Sequence, residues 1–180
     1  KSESELGAEL DSLSDFLSFA VAPCILIYMS LINQNEMIGS IALLLFVVFS
    51  CIRLAIFNLN KDNVENVSSF FSGVPTPAGC GLLILPLIQS FLGFDWAKEN
   101  EIFLSIYIFI IGLLLISNLP TFSSKQFNIK ISRKNYLYFS IFFFLVYLSL
   151  INFLWIAINI IGIMYLLSIP VSVWKYKAKG

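Results

Sequence analysis

For about 40 residues, 135–174, the sequence contains no Asp, Glu, Lys or Arg. As a single helix this run would reach about 60 Å at 1.5 Å per residue, twice the roughly 30 Å hydrocarbon core of a bilayer. It is therefore expected to fold back as a hairpin of two spanning helices. Its aromatic residues agree: Tyr136 and Tyr138 open it, Trp155 stands at its middle and Trp174 closes it, where two interfacial belts would lie. Four more charge-free runs, residues 16–35, 37–52 (continuing through Arg53 to 60), 66–94 and 102–124, each have room for one helix. The expected architecture is an all-α, polytopic transmembrane helix bundle with about six spanning helices and both termini on one side.

Composition excludes the main alternatives. Hydrophobic residues make up 58% of the chain and charged residues 12%, roughly half the charged share of a soluble domain, which rules out a soluble globular or a disordered protein. Sorted by side, Lys1, Lys61, Lys125, Lys130, Arg133, Lys134, Lys175, Lys177 and Lys179 fall with the termini and only Lys98 opposite, so the positive-inside rule places both termini in the cytoplasm. The basic loop 125–134 is expected to set topology. No repeat or linker divides the chain, and residues 1–180 are expected to form a single domain. Eleven basic residues balance eleven acidic ones, leaving no field to attract nucleic acid. The absence of histidine excludes a Ser-His-Asp or Cys-His nucleophile and a histidine-ligated zinc. Cys24, Cys51 and Cys80 lie in apolar stretches without C-x-x-C spacing and read as buried thiols. The opening is acidic and lacks Met, so the chain is expected to start within a longer protein.

Against this apolar background a few polar residues stand out. Arg53 lies six residues before Leu59, hence about 9 Å inside the end of the second span. An intramembrane arginine needs a partner or a watery cavity, and although it could snorkel outward, a functional role is the preferred reading. Asp11 and Asp15 are four apart and share one helix face, with Gly7 a turn further back. Two like charges so close favour a divalent cation between them, and oxygen-only ligands suit Mg²⁺ or Mn²⁺; the plainer alternative is that they complement a helix dipole. By the sorting of charges, Asp11, Asp15, Arg53, Asn58 and Lys61 all fall on the cytoplasmic half, which a polar cavity open to the cytoplasm explains. The segment GVPTPAGCG, residues 73–81, begins the third span at that level and by itself signals close packing.

The stretch GAELDSLSD, residues 7–15, resembles the second half of the CDP-alcohol phosphotransferase signature, D-x-x-D-G-x-x-A-R…G-x-x-x-D-x-x-x-D, with Gly7, Asp11 and Asp15 at its last three fixed positions. GAELDSLSDFLSFAVAP resembles the phosphatidylserine synthase branch of that family, with Ala20 in place of the usual glycine. RLAIFN (53–58) resembles that branch's R-L-A-R-F-N, with Ile56 replacing the second arginine, and FSGVPTPA (71–78) resembles its F-x-G-L-P-T-P-A. The resemblance covers residues 1–81, and the D-x-x-D-G-x-x-A-R half, with two further metal-ligand aspartates and the N-terminal helices, is expected to lie upstream.

The resemblance implies transfer of a phosphatidyl group from CDP-diacylglycerol to L-serine, giving phosphatidylserine and CMP. Asp11 and Asp15 would be metal ligands for Mg²⁺ or Mn²⁺, and Asp15 also the catalytic base. Gly7, Arg53 and Asn58 would bind substrate, Arg53 taking a carboxylate or a phosphate on its guanidinium. The resemblance also implies a homodimer in a bacterial-type cytoplasmic membrane, with the active site facing the cytoplasm and no nucleic-acid partner. The alternatives are the same chemistry with glycerol 3-phosphate or inositol phosphate as acceptor and, from a different class, a small transporter or structural membrane subunit. A transporter should show repeats or charges at mid-membrane, and this chain shows neither.

Overall fold

A computed structural model describes residues 5–32, 37–60, 70–117, 119–122, 139–142, 144, 147–148 and 153–177. Lys1, Lys61, the turn 33–36 and the basic loop 125–134 lie outside the described residues. Among the described residues the regular elements are helices and one pair of three-residue strands.

Helix α1 (Glu5–Phe16) continues without a break through a π-helical turn (Leu17–Val21) into α2 (Ala22–Leu31). Pro23 explains the widened turn. It has no N–H to offer the carbonyl of Phe19, and its ring crowds that carbonyl. The ladder shifts instead, and the Ala22 amide closes on the Leu17 carbonyl five residues back. Ala20, where the resembling branch carries glycine, is fully buried in this turn. Helix α3 (Met37–Asn60) carries Arg53 in its last third, as the extended second run leads one to expect.

The third apolar run begins later than its composition suggests. Strand β1 (Phe70–Ser72) precedes helix α4 (Thr76–Phe91), because Val74 stands before a proline and is held out of helical conformation, while Pro75 takes an extended ψ of 143° as the N-cap. A short α5 (Trp96–Glu99) turns the chain into α6 (Glu101–Ile116), and β2 (Pro120–Phe122) then pairs antiparallel with β1, Phe71 opposite Thr121. Within the 40-residue run the described residues up to 148 are helical, the chain bends at Phe153, and α7 (Leu154–Lys177) follows.

Among the described residues three helices are long and apolar enough to cross a membrane: Leu6–Leu31, Met37–Leu59 and Leu154–Ser172. Helices α4 and α6, of 16 residues each, reach about 24 Å and fall short of the hydrocarbon core. The span Leu154–Ser172 is only 6% buried within the protein, and Ile160, Ile161, Met164 and Leu167 stand exposed on it. Such an outer surface suits lipid, not water.

The core lies among α2, α3, α4 and α6, where Ile27, Phe46, Leu83, Leu104 and Ile108 are fully buried. Helices α3 and α6 pack closely at Gly112, where a Cβ would come within 2.6 Å of the Phe49 ring. Gly79 plays the same part against Leu115, whereas Gly81 faces open space. At the end of α4 away from Thr76, Gln89 accepts from the Trp96 indole N–H at 2.7 Å and donates to Asn159 of α7 at 3.3 Å.

Pro86 interrupts the ladder of α4 and leaves the Leu82 carbonyl without its own amide. The Tyr107 hydroxyl of α6 donates to that carbonyl at 2.7 Å. Tyr107→Phe is expected to cost about 1 to 3 kcal/mol, the penalty of an unsatisfied buried acceptor. Thermal unfolding in detergent measures it. In a Pro86→Ala background, where residue 86 regains an N–H, the same substitution should cost much less; an equal loss in both backgrounds refutes the account.

Candidate active site

A cavity of about 210 Å³ opens where α1, α3 and the start of α4 meet. Asp15 lines it from α1, Arg53, Leu54 and Phe57 from α3, and Pro75, Thr76 and Pro77 from the first turn of α4. The three α3 residues share a face by their spacing, so one helix side presents a cation between apolar walls.

Arg53 does not snorkel to water: it is 9% exposed, and its Nε donates to the Val74 carbonyl at 3.4 Å. Val74 is held in turn, its amide donating to Leu114 at 3.1 Å, while the Gly73 amide donates to Leu119 at 2.8 Å. Gly73 makes this crossing possible. Its φ is +77°, and a Cβ there would lie 2.5 Å from the Ser117 carbonyl oxygen. The arginine is thus positioned by a backbone relay anchored on the end of α6.

Asp15 is half-buried and joins no ion pair among the described residues. Asp11, one turn back on the same helix, is exposed, as is Gly7 a further turn away, and neither lines the cavity. The expected shared face of Asp11 and Asp15 holds, with only Asp15 reaching the cavity wall. Asn58 is not a wall residue either. Its amide Nδ2 donates to the Ser12 hydroxyl at 2.9 Å, and that hydroxyl donates to the Ala8 carbonyl at 3.0 Å, so Asn58 ties the end of α3 to the helix bearing the acids. Ile56, at the position of the branch's second arginine, is exposed away from the cavity.

The donor chemistry fits a hard divalent cation in part. Asp11 and Asp15 present carboxylate oxygens one turn apart, the ligand type such ions prefer. No group of three or more Asp, Glu, Cys or His comes together among the described residues, so these two would hold an ion only together with other donors.

Thr76, Leu54 and Phe57 were not singled out by the sequence reading. For Leu54 and Phe57 the signal was available, since they follow Arg53 at one and four residues. Thr76, between two prolines, read as part of a packing segment.

The model of the family described as CDP-alcohol phosphatidyltransferase matches residues 1–174. The chain is 35% identical over 131 residues to a protein of Helicobacter pylori (strain ATCC 700392 / 26695) named CDP-diacylglycerol--serine O-phosphatidyltransferase, covering 71% of this chain and 54% of that one. It is 37% identical over 125 residues to a protein of that name from Mycobacterium leprae (strain TN), covering 66% and 40%. It is 36% identical over 126 residues to one from Methanocaldococcus jannaschii, covering 69% and 54%. The chain spans about half the length of the curated relatives it matches. With Asp15 and Arg53 lining one cavity and the family match running over residues 1–174, this chain belongs to the CDP-alcohol phosphatidyltransferase family.

Proposed function

We propose that the protein transfers the phosphatidyl group of CDP-diacylglycerol to the hydroxyl of L-serine, giving phosphatidylserine and CMP. The observation that carries this reading is a cavity lined by one carboxylate and one guanidinium, in a chain similar to relatives named for that reaction. Asp15 accepts the proton of the serine hydroxyl. The serine oxygen bonds to the phosphorus of the phosphatidyl group as the bond from that phosphorus to CMP breaks. Arg53 holds an anionic group of a substrate, its direction fixed by Val74. Asn58 acts through Ser12 to keep α1 and its acids in register with α3. Mg²⁺ or Mn²⁺, held by Asp11 and Asp15 with further donors, would neutralise charge on the pyrophosphate and orient it. Gly7, one turn before Asp11, leaves room for the nucleotide beside the helix.

In this reading residues 1–180 form one transmembrane domain with about six spans, and both termini and the cavity face the cytoplasm of a bacterial-type cytoplasmic membrane. The distribution of Lys and Arg supports this orientation. The family resemblance implies a homodimer.

The test is CMP release by the full-length protein in proteoliposomes containing CDP-diacylglycerol, with Mn²⁺ or Mg²⁺, and serine, glycerol 3-phosphate or inositol phosphate supplied in parallel. Release with serine, lost on chelation, is the expected result, at least tenfold above either phosphate acceptor. Release only with a phosphate acceptor discards serine but keeps the chemistry. Folded protein that releases no CMP with any acceptor discards both.

A further inference from the structure

Charge is segregated along the chain. All eleven acidic residues lie within residues 1–101, while residues 102–180 hold seven basic residues and no acidic one, a formal charge of +7. Two clusters carry it, Lys125, Lys130, Arg133 and Lys134 in one and Lys175, Lys177 and Lys179 in the other. The positive-inside rule accounts for the basic residues, but it counts Lys and Arg and is nearly blind to Asp and Glu. It gives no reason for acids to be missing. An anionic partner does, because a carboxylate among the lysines would cancel part of the attraction. The first cluster lies outside the described residues; the structure places the start of the second.

Helix α7 runs antiparallel to α4 in a steady register. The Phe91 and Trp155 rings lie 4.9 Å apart, Gln89 bonds Asn159, and a Cβ on Gly162 would come within 2.6 Å of the Leu85 side chain. Continued along both helices, this register sets Thr76, the first residue of α4, level with about residue 171. Lys175 and Lys177 therefore lie about 6 to 9 Å beyond the cavity-lining turn of α4, at 1.5 Å per residue. Strand β2 marks the same level, since α7 packs against it and it pairs with β1 just before Gly73. A two-stranded pair has open edges, which hydrocarbon does not tolerate, so this end of the bundle stands at the headgroups of a bilayer. The apolar span ends at Ser172, and the sequence continues Trp174-Lys175-Tyr176-Lys177-Ala178-Lys179, interfacial aromatics alternating with cations.

We propose that the end of α7, Lys175 and Lys177 with Lys179 two residues on in sequence, binds the headgroups of anionic phospholipids beside the cavity. Attraction of this kind reaches about 10 Å at 0.1 M salt and is screened at higher salt. The binding stands without the function proposed above; in that reading CDP-diacylglycerol is itself an anionic phospholipid, and the lysines gather it next to the site that consumes it.

The experiment reconstitutes the full-length protein in phosphatidylcholine vesicles with a trace of spin-labelled phosphatidylglycerol or spin-labelled phosphatidylcholine, and reads by electron spin resonance which lipid the protein surface holds. Wild type is expected to prefer phosphatidylglycerol at least about threefold at low salt. The triple variant K175Q/K177Q/K179Q should cut that preference at least about twofold, and 0.5 M salt should bring wild type down to the same level. Replacing the same lysines by arginine disturbs the helix end equally but keeps the charge, and should keep the preference. K98Q, at the other end of the bundle, should leave it unchanged. A wild type without preference overturns the proposal, and so does a triple glutamine variant that keeps it. A preference lost only when Lys125, Lys130, Arg133 and Lys134 are replaced also overturns it. No turnover is read, so a protein that holds anionic lipid but releases no CMP overturns the function proposed above and leaves this binding standing.

Discussion

Asp15→Asn is expected to lower serine-dependent CMP release by at least about a thousandfold while shifting the melting temperature by no more than a few degrees. Asparagine keeps the size and shape of the side chain, and Asp15 joins no ion pair among the described residues, so little packing or electrostatic support is lost. Two chemical properties disappear together. The amide cannot accept the serine proton, a loss of about a hundred to ten thousandfold for a positioned general base, and it is a poor ligand for a hard divalent cation. Asp95→Asn is the matched control: this aspartate pairs with Lys98 at 3.1 Å beside α5, away from the cavity, and its substitution should leave activity within twofold. A D15N protein that retains a tenth of wild-type turnover removes Asp15 from the role of base.

The second large effect is expected far from any substrate contact. Gly73→Ala places a methyl group where only hydrogen fits, 2.5 Å from the Ser117 carbonyl oxygen and 2.9 Å from that of Leu115, in a backbone conformation at φ +77°. The left-handed backbone alone costs an alanine roughly 1 to 2 kcal/mol, and the obstructing atoms are backbone oxygens that cannot swing aside. The crossing segment must therefore shift. Val74 moves with it, and Val74 holds Arg53 by the guanidinium Nε. A misplacement near 1 Å at a binding group costs about a hundredfold in turnover. Gly73→Ala should accordingly lower the melting temperature in detergent and reduce CMP release about a hundredfold. Val74→Ala keeps the backbone carbonyl that Arg53 uses and should lose stability with much less loss of activity. Equal activity losses in the two variants would argue against the relay.

Much of the site was legible because charges are scarce in this chain. Asp11, Asp15 and Arg53 stand out against apolar neighbours, and helical spacing alone puts the two acids on one face. The polar half of the second run likewise joined Asn58 to the same end of the bundle. Its partner was not legible: that Asn58 meets Ser12 depends on the approach of α3 to α1, a contact 46 residues apart in sequence. The strands were hidden for a related reason. Residues 70–72 and 120–122 are too short to show a period, and one of them begins with a proline. The late start of α4 was readable in principle from Val74 standing before Pro75. The π turn after Asp15 was not, since a proline at position 23 is equally compatible with a kink or a helix start. Thr76 escaped because its place on the cavity depends on how α4 meets α1 and α3, while its neighbours in sequence suggest only close packing.

The hydroxyl of Tyr107 on the Leu82 carbonyl bears on how such a chain enters a bilayer. Taken alone, α4 would bring into the hydrocarbon an acceptor that its own backbone cannot satisfy, at several kcal/mol, on a helix too short to reach both interfaces. Helix α6 supplies the missing donor and follows α4 after only the short α5. The pair is therefore better partitioned into lipid together than one helix at a time. In the six-span reading proposed above, the insertion unit at this point of the chain is expected to be a hairpin, its topology decided when both arms are present.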